Sequence, residues 1–321
     1  MMKRILIGAL LTGVLSSCLK EELPVPTRAR GDAMNVQACM GAGYQDQLWI
    51  DLRSGTVVST NVKTAWDLAF ESSPEGWHIY LNGSKLMTAW NIGNMDITAA
   101  HDTVGMAANK RIDAPSGHRD STAIGDWRAG NDVFVIDRGY NAIGQSQGLA
   151  KFRFLSVSSN AFVFEVAAMD GSQLDMVTVE KDVTRAFTCY KLGEGVVNIE
   201  PPRGEWDLVL TQYTHQFYEP FLPYIVTGML SATTTRAAVI PDSDFRTVSL
   251  VDTLAHPMQD ARDAIGYDWK FYSFETSSYT VDQALVYIVQ DSEGFFYKLH
   301  FIDFYSAQGQ VGCPLFEVVP L

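Results

Sequence analysis

Histidine, cysteine and positive charge are all scarce in this chain, and each shortage removes a class of function. Six histidines and four cysteines are scattered over 321 residues, with no Cys-x-x-Cys pair and no His-Glu-x-x-His, so no zinc site is written in the sequence. Lys and Arg number 24 against 37 Asp and Glu, a formal charge of −13. Phosphate backbones are bound by clustered basic residues, so nucleic acid is not a partner. Glycine-rich phosphate loops are missing as well. No long stretch repeats its apolar residues with a helical period, and beyond the first residues no run is apolar enough to span a bilayer.

One motif looks catalytic. Gly144-Gln145-Ser146-Gln147-Gly148 has the form of a nucleophile elbow, which needs a strand before the serine and a helix after it. Here a strand-like segment, Leu149–Leu155, follows instead, so the segment reads as a hairpin connection. Trp66-Asp67 and Trp206-Asp207 supply two carboxylates, but they read as structural: Trp filling a core, Asp accepting turn hydrogen bonds. The expectation is that the chain is not an enzyme.

The opening residues carry a strong local signal. Lys3 and Arg4 precede an apolar run, Ile5 to Leu15, and Leu15-Ser16-Ser17-Cys18 reads as a lipobox. That predicts a signal peptide over residues 1–17 and lipidation of Cys18, acyl chains then holding the protein to a membrane. Loss of Lys3 and Arg4 takes the charge from −13 to −15. Residues 18–43, with Pro24, Pro26 and three glycines, read as the lipidated cysteine and a linker. Arg30-Gly31-Asp32 within it is a chance-level tripeptide. Cys39, Cys189 and Cys313 are odd in number and read as small buried thiols in preference to one disulfide.

From Tyr44 onward short aromatic and β-branched segments alternate with turns, and the class is all-β. Strands are predicted at Leu48–Leu52, Ala65–Phe70, Val133–Asp137, Leu149–Leu155, Ala161–Ala168, Trp206–Gln212, Val248–Asp252, Ala284–Gln290 and Phe295–Tyr305. The chain also matches itself. Leu52-x-x-Gly55 through Trp66-Asp67-Leu68 returns 140 residues later as Leu192-x-x-Gly195 through Trp206-Asp207-Leu208. Ala123-Ile124-Gly125-Asp126-Trp127 is echoed by Ala264-Ile265-Gly266-Tyr267-Asp268-Trp269, and Lys151-Phe152-Arg153-Phe154 by Lys298-Leu299-His300-Phe301. Two related antiparallel sandwich-like units are expected, at 44–183 and 184–321.

The repeated residues resemble the HmuY-like haem-binding lipoproteins of Bacteroidetes. The resemblance rests on Gly55-Thr56-Val57-Val58, Trp66-Asp67-Leu68-Ala69 and Ile79-Tyr80-Leu81-Asn82, and later on Asp268-Trp269, Val286-Tyr287-Ile288 and Gly294 to Phe304. It implies a β-rich, lipid-anchored protein on the outer membrane, facing the exterior, that captures haem or a related porphyrin and passes it to a membrane receptor. The family's second histidine ligand lies five residues after a tryptophan. From Trp269 that count reaches Phe274, and from Trp127 it reaches Asp132, neither a good ligand for haem iron. Substitute ligands are then sought among His215, Met229, His256 and Met258 in the second half, and Met87, Met95, His101, Met106 and His118 in the first. Taken singly, each of these reads first as a solvated histidine or a core methionine. His215, in the aromatic stretch Gln212 to Tyr218, could rim a pocket for haem, sugar or peptide, but structural packing against the other half is the first reading. The alternatives are a surface module for glycan or protein on the same scaffold, and a structural accessory of an outer-membrane import complex.

Overall fold

The computed structural model describes residues 31–321. The signal segment 1–17, Cys18 and the first part of the linker lie outside the described residues. Among those described, no helix is long and apolar enough to cross a membrane.

The protein is all-β. In chain order the first ten strands are β1 (Met34–Gln37), β2 (Asp46–Asp51), β3 (Thr56–Val62), β4 (Leu68–Glu71), β5 (Ile79–Leu81), β6 (Thr88–Asn91), β7 (Phe134–Asp137), β8 (Leu149–Val157), β9 (Ala161–Ala167) and β10 (Asp175–Glu180). Then come β11 (Phe187–Lys191), β12 (Gly195–Val197), β13 (Leu208–Tyr218), β14 (Phe221–Ser231), β15 (Arg236–Ile240), β16 (Lys270–Ser273), β17 (Ser278–Val281), β18 (Val286–Gln290), β19 (Phe296–Tyr305) and β20 (Val311–Pro320).

Four of the five sheets stack as layers, in the order β10-β9-β8-β7-β6, then β12-β11-β4-β5, then β14-β13-β2-β3, then β1-β20-β19-β18-β15. Each interface is filled by alternate side chains of the facing sheets. Phe70, Phe152, Phe154, Phe162, Phe164 and Tyr190 fill the first. Trp49, Trp206, Val209 and Tyr213 join the two inner sheets, and Leu208, Met229, Trp269, Tyr287 and Phe301 fill the last. The fifth sheet is the small β16–β17 hairpin.

The sheets do not divide where the sequence predicts. The hairpin β2–β3 pairs with β13 of the second half, Leu208 opposite Ile50. The hairpin β11–β12 pairs with β4 of the first half, Leu68 opposite Tyr190. Each half thus lends a hairpin to the other, and the boundary at 183/184 cuts through both structural units. The Trp-Asp motifs hold the exchange. Asp207 accepts the Leu52 amide at 2.9 Å, and Asp67 accepts the Leu192 amide at 2.9 Å.

Three further expectations are corrected. The linker ends early, because residues 34–37 form β1 and pair with β20, Val36 opposite Phe316. Cys39 and Cys313 are not free thiols but a disulfide joining the end of that strand to β20, while Cys189 alone matches the buried-thiol reading. Val248–Asp252 is not a strand; Leu250–Leu254 is a short 3-10 helix closed by a capping box between Ser249 and Asp252.

The outer faces of the two five-stranded sheets are covered by the long connections. Lys151 and Lys298 reach through them. A buried ammonium must find acceptors, and Lys151 Nζ bonds Ala99 O at 2.5 Å, while Lys298 Nζ bonds Phe245 O at 2.8 Å and Val248 O at 3.1 Å.

Candidate ligand-binding site

The longest hairpin, β13–β14, continues past the inner sheet, and the small β16–β17 hairpin is tied to it. Lys270 Nζ donates to Thr227 O at 2.5 Å, and Met229 and Gly266 exchange backbone hydrogen bonds. Beyond that tie both hairpins present rings to solvent. Tyr218, Leu222, Tyr224, Phe271, Tyr272 and Phe274 are between 42% and 89% exposed. A cluster of this size on one end of a β protein is costly in water unless it meets a ligand or partner.

The rings are arranged in contact. His215 lies edge-on to Phe217, centroids 4.9 Å apart, and to Tyr267 at 5.0 Å. Phe217 meets Tyr224 at 6.2 Å. On the neighbouring hairpin Tyr272 meets Phe274 at 5.2 Å and Tyr279 at 5.0 Å. The Tyr279 hydroxyl is held above its ordinary pKa, first by burial and then by the nearby phenols of Tyr224, Tyr272 and Tyr305. The register explains the alignment: His215 is opposite Tyr224 and Phe217 opposite Leu222, so all four share one face of the ribbon.

The sequence-derived candidates do not assemble around one point. His215 stands on strand β13, not in a loop, and belongs to the ring cluster. Met229 is wholly buried in the last core layer, where its thioether is packing and not a free ligand. Met258 packs with Phe245 and Leu250 in a satellite cluster. His256 is half-buried, its amide bonded to Asp252 O at 3.0 Å. Among the described residues no hydrogen bond or ring contact links His256 or Met258 to His215. In the first half, Met87 and Met106 are buried and Met95 packs beside Ile97; His118 is exposed, and the His101 amide bonds Met169 O at 2.9 Å. Phe274, which falls at the ligand count, is an exposed ring near the hairpin tip. Tyr224, Tyr267 and Tyr272 were missed by the sequence reading. The signal available was aromatic density between Tyr267 and Tyr279.

Asp67 and Asp207 are structural, as expected, but differ in charge balance. Asp67 is buried against Lys85 and Arg138, with Arg138 Nη2 at 3.1 Å. Among the described residues Asp207 forms no ion pair, and Arg53 is only the weakest of the charges acting on it. Burial, less the effect of its bond from Leu52, and then the charges of Asp291 and Asp51 push its pKa up to about 7. The Gly144 to Gly148 motif lies in the connection between β7 and β8, with Ser146 bridged to Tyr140, so the elbow geometry is not present.

Layered antiparallel sheets that present rings at one hairpin end define an all-β, sandwich-like protein. The chain belongs to the HmuY protein family, whose model matches residues 43–317. Among solved structures it is similar to apo PinO from Porphyromonas gingivitis, at 8% identity and TM-score 0.35, over 91% of this chain and 98% of that one. It is also similar to a Bacteroides vulgatus protein described as HmuY-like and heme binding, at 12% identity and TM-score 0.25, over 53% of this chain and 91% of that one. A Bacteroides fragilis protein described as a lipoprotein shares 11% identity at TM-score 0.23, over 53% of this chain and 88% of that one. No curated protein matches.

Proposed function

We propose that this is a surface lipoprotein, anchored through Cys18 to the exterior of the outer membrane, that captures haem or a related porphyrin for nutrient uptake. In the same reading its two exchanged units descend from one duplicated module. The observation that carries the proposal is the exposed ring cluster around His215, at the hairpin end of a chain in the HmuY family. A flat macrocycle gains from burial against Tyr224, Tyr272 and Phe274, and His215 is the imidazole in that cluster, taken here as the axial ligand beside phenols that can also ligate iron. The two-histidine pair implied by the resemblance is absent at Phe274, so a single axial histidine is the chemistry on offer.

The test is a titration of the purified protein with ferric haem, followed in the visible region. A sharpened, shifted Soret band saturating at one equivalent is expected. His215→Ala should remove the shift, and Phe274→Ala should weaken binding about tenfold, the equivalent of one lost aromatic contact. His256→Ala and Met258→Ala should leave the band unchanged. A free-haem spectrum with the parent protein would end this reading.

A further inference from the structure

The ring cluster has a sign of charge as well as a shape. Strands β13 and β14 close on Tyr218 opposite Phe221, so Glu219 and Pro220 make the turn. The β16–β17 hairpin closes on Ser273 opposite Ser278, so its turn carries Phe274 and Glu275. Each hairpin therefore ends in an exposed carboxylate next in sequence to an exposed ring, Glu219 after Tyr218 and Glu275 after Phe274. A third carboxylate, Asp268, is exposed at the root of the β16–β17 hairpin. Burial and then Asp268 hold the hydroxyl of Tyr267, the ring beside His215, above its ordinary pKa.

Cations do not balance these groups. From Leu208 to Ser231 the β13–β14 hairpin has no Lys or Arg. The β16–β17 hairpin has Lys270, which is buried and turned inward, its Nζ donating to Thr227 O and lying 4.1 Å from the centre of the Trp269 ring. Burial pushes its pKa down to about 7, so it lends little charge above neutral pH. Later in the chain, Arg236, Arg262 and Lys298 donate to Met258 O, Ser231 O and Phe245 O, and Arg246 pairs with Asp244. From the first half, Lys63 donates to Gln212 at the root of β13 and is buried there.

We propose that the ring cluster selects its macrocycle by charge: it prefers a porphyrin with a neutral edge to one bearing carboxylates, and it holds haem with the propionates turned out to water. This inference rests on the haem-binding reading and names the porphyrin class that the same site favours. A porphyrin carboxylate laid across the rings enters the field of Glu219 and Glu275 with no guanidinium or free ammonium to receive it. The repulsion grows where the rings exclude water. The negative faces of the rings oppose an anion as well. A macrocycle without carboxylates keeps the whole apolar gain and meets none of this.

The experiment titrates the purified protein with ferric coproporphyrin, ferric haem and ferric haem dimethyl ester, a series of falling carboxylate number, and follows the Soret band at low and high salt. Affinity should rise along the series at low salt, about tenfold between haem and its ester, and the spread should narrow at high salt. Glu219→Gln with Glu275→Gln should bind haem about tenfold tighter than the parent, with the same band position, and should discriminate less along the series. Tighter binding of haem than of its ester overturns the proposal while leaving the haem reading intact. So does a preference for the ester that survives both high salt and the double substitution, since that is only the greater apolarity of the ester. A parent protein that binds none of the three ends both readings.

Discussion

Replacing Asp207 by Asn should stabilise the protein, and increasingly so as pH rises. Asp207 is 5% exposed, accepts the Leu52 amide that anchors the exchanged hairpin, and feels Asp291 and Asp51 more strongly than the single cation near it, Arg53, with which it forms no ion pair. Its folded pKa, raised from 3.8 to about 7, means that the folded state holds a proton that the unfolded state gives up. The sign follows: this stabilising contribution is complete below about pH 3.8 and is lost as pH rises through about 7. A rise of that size corresponds to about 4 kcal/mol at pH 8.5 and to less than half of that at pH 5. Asn keeps a carbonyl oxygen for the Leu52 amide and carries no charge at any pH. Asp207→Asn should therefore exceed the parent by several kcal/mol at pH 8.5 and by roughly 1–2 kcal/mol at pH 5. In thermal unfolding that is about 2–4 °C for each kcal/mol in a chain of this size. Glu200, Asp113 and Lys270, whose pKa values also lie near 7, cancel when variant and parent are compared at the same pH. Asp67→Asn is the counter-experiment. It strips Lys85 and Arg138 of their shared carboxylate, and breaking a buried pair costs about 3–5 kcal/mol. If Asp207→Asn proved destabilising at pH 8.5, or its advantage did not change with pH, the carboxylate would not be the uncompensated charge described.

The disulfide and the turns offer further checks. Cys39→Ser with Cys313→Ser, or reduction, should lower stability by about 2–5 kcal/mol, because the bond closes a span of 274 residues and fastens β1 to β20. Unfolding scans with and without reductant would show it; superposable scans would refute it. Cys189 should resist thiol reagents until the protein unfolds, since burial pushes its thiol up and hides it. Gly171→Ala should cost roughly 1–3 kcal/mol or more. Its φ is +86°, and a Cβ there would be 1.8 Å from Thr98 O. An unaltered denaturation midpoint would show that the contact is relaxed in solution.

Local patterning explains why the fold class was readable. Alternation in Lys151-Phe152-Arg153-Phe154 puts Phe152 and Phe154 in one core layer and pairs Arg153 with Glu165 across the strand. The motif Trp127 and its counterpart Trp269 both pack on the phenylalanines that the self-match equates, Phe154 and Phe301. Val248–Asp252 went wrong because an apolar pair beside a capping serine has too little length to separate a strand from a turn of helix. Met229 and Met258 read first as core methionines, and they stayed ligand candidates because a methionine in sequence carries no mark of burial. His215 stood out for its aromatic neighbours, but Tyr267 and Tyr272, 50 or more residues along, had no visible connection to it.

The sequence by itself determined what depends on near neighbours: strand and turn placement, the repeated motifs, family membership and the scarcity of catalytic groups. Tertiary structure decided what depends on pairing between distant segments. It exchanged the β2–β3 and β11–β12 hairpins between the units, joined Cys39 to Cys313 and gathered the ring cluster from two hairpins. It also left Asp207 without the ion pairs that Lys85 and Arg138 give Asp67. The physical reason is that a strand's period states which face is apolar but not which partner covers it. That choice is made by the total burial and hydrogen bonding of the whole stack.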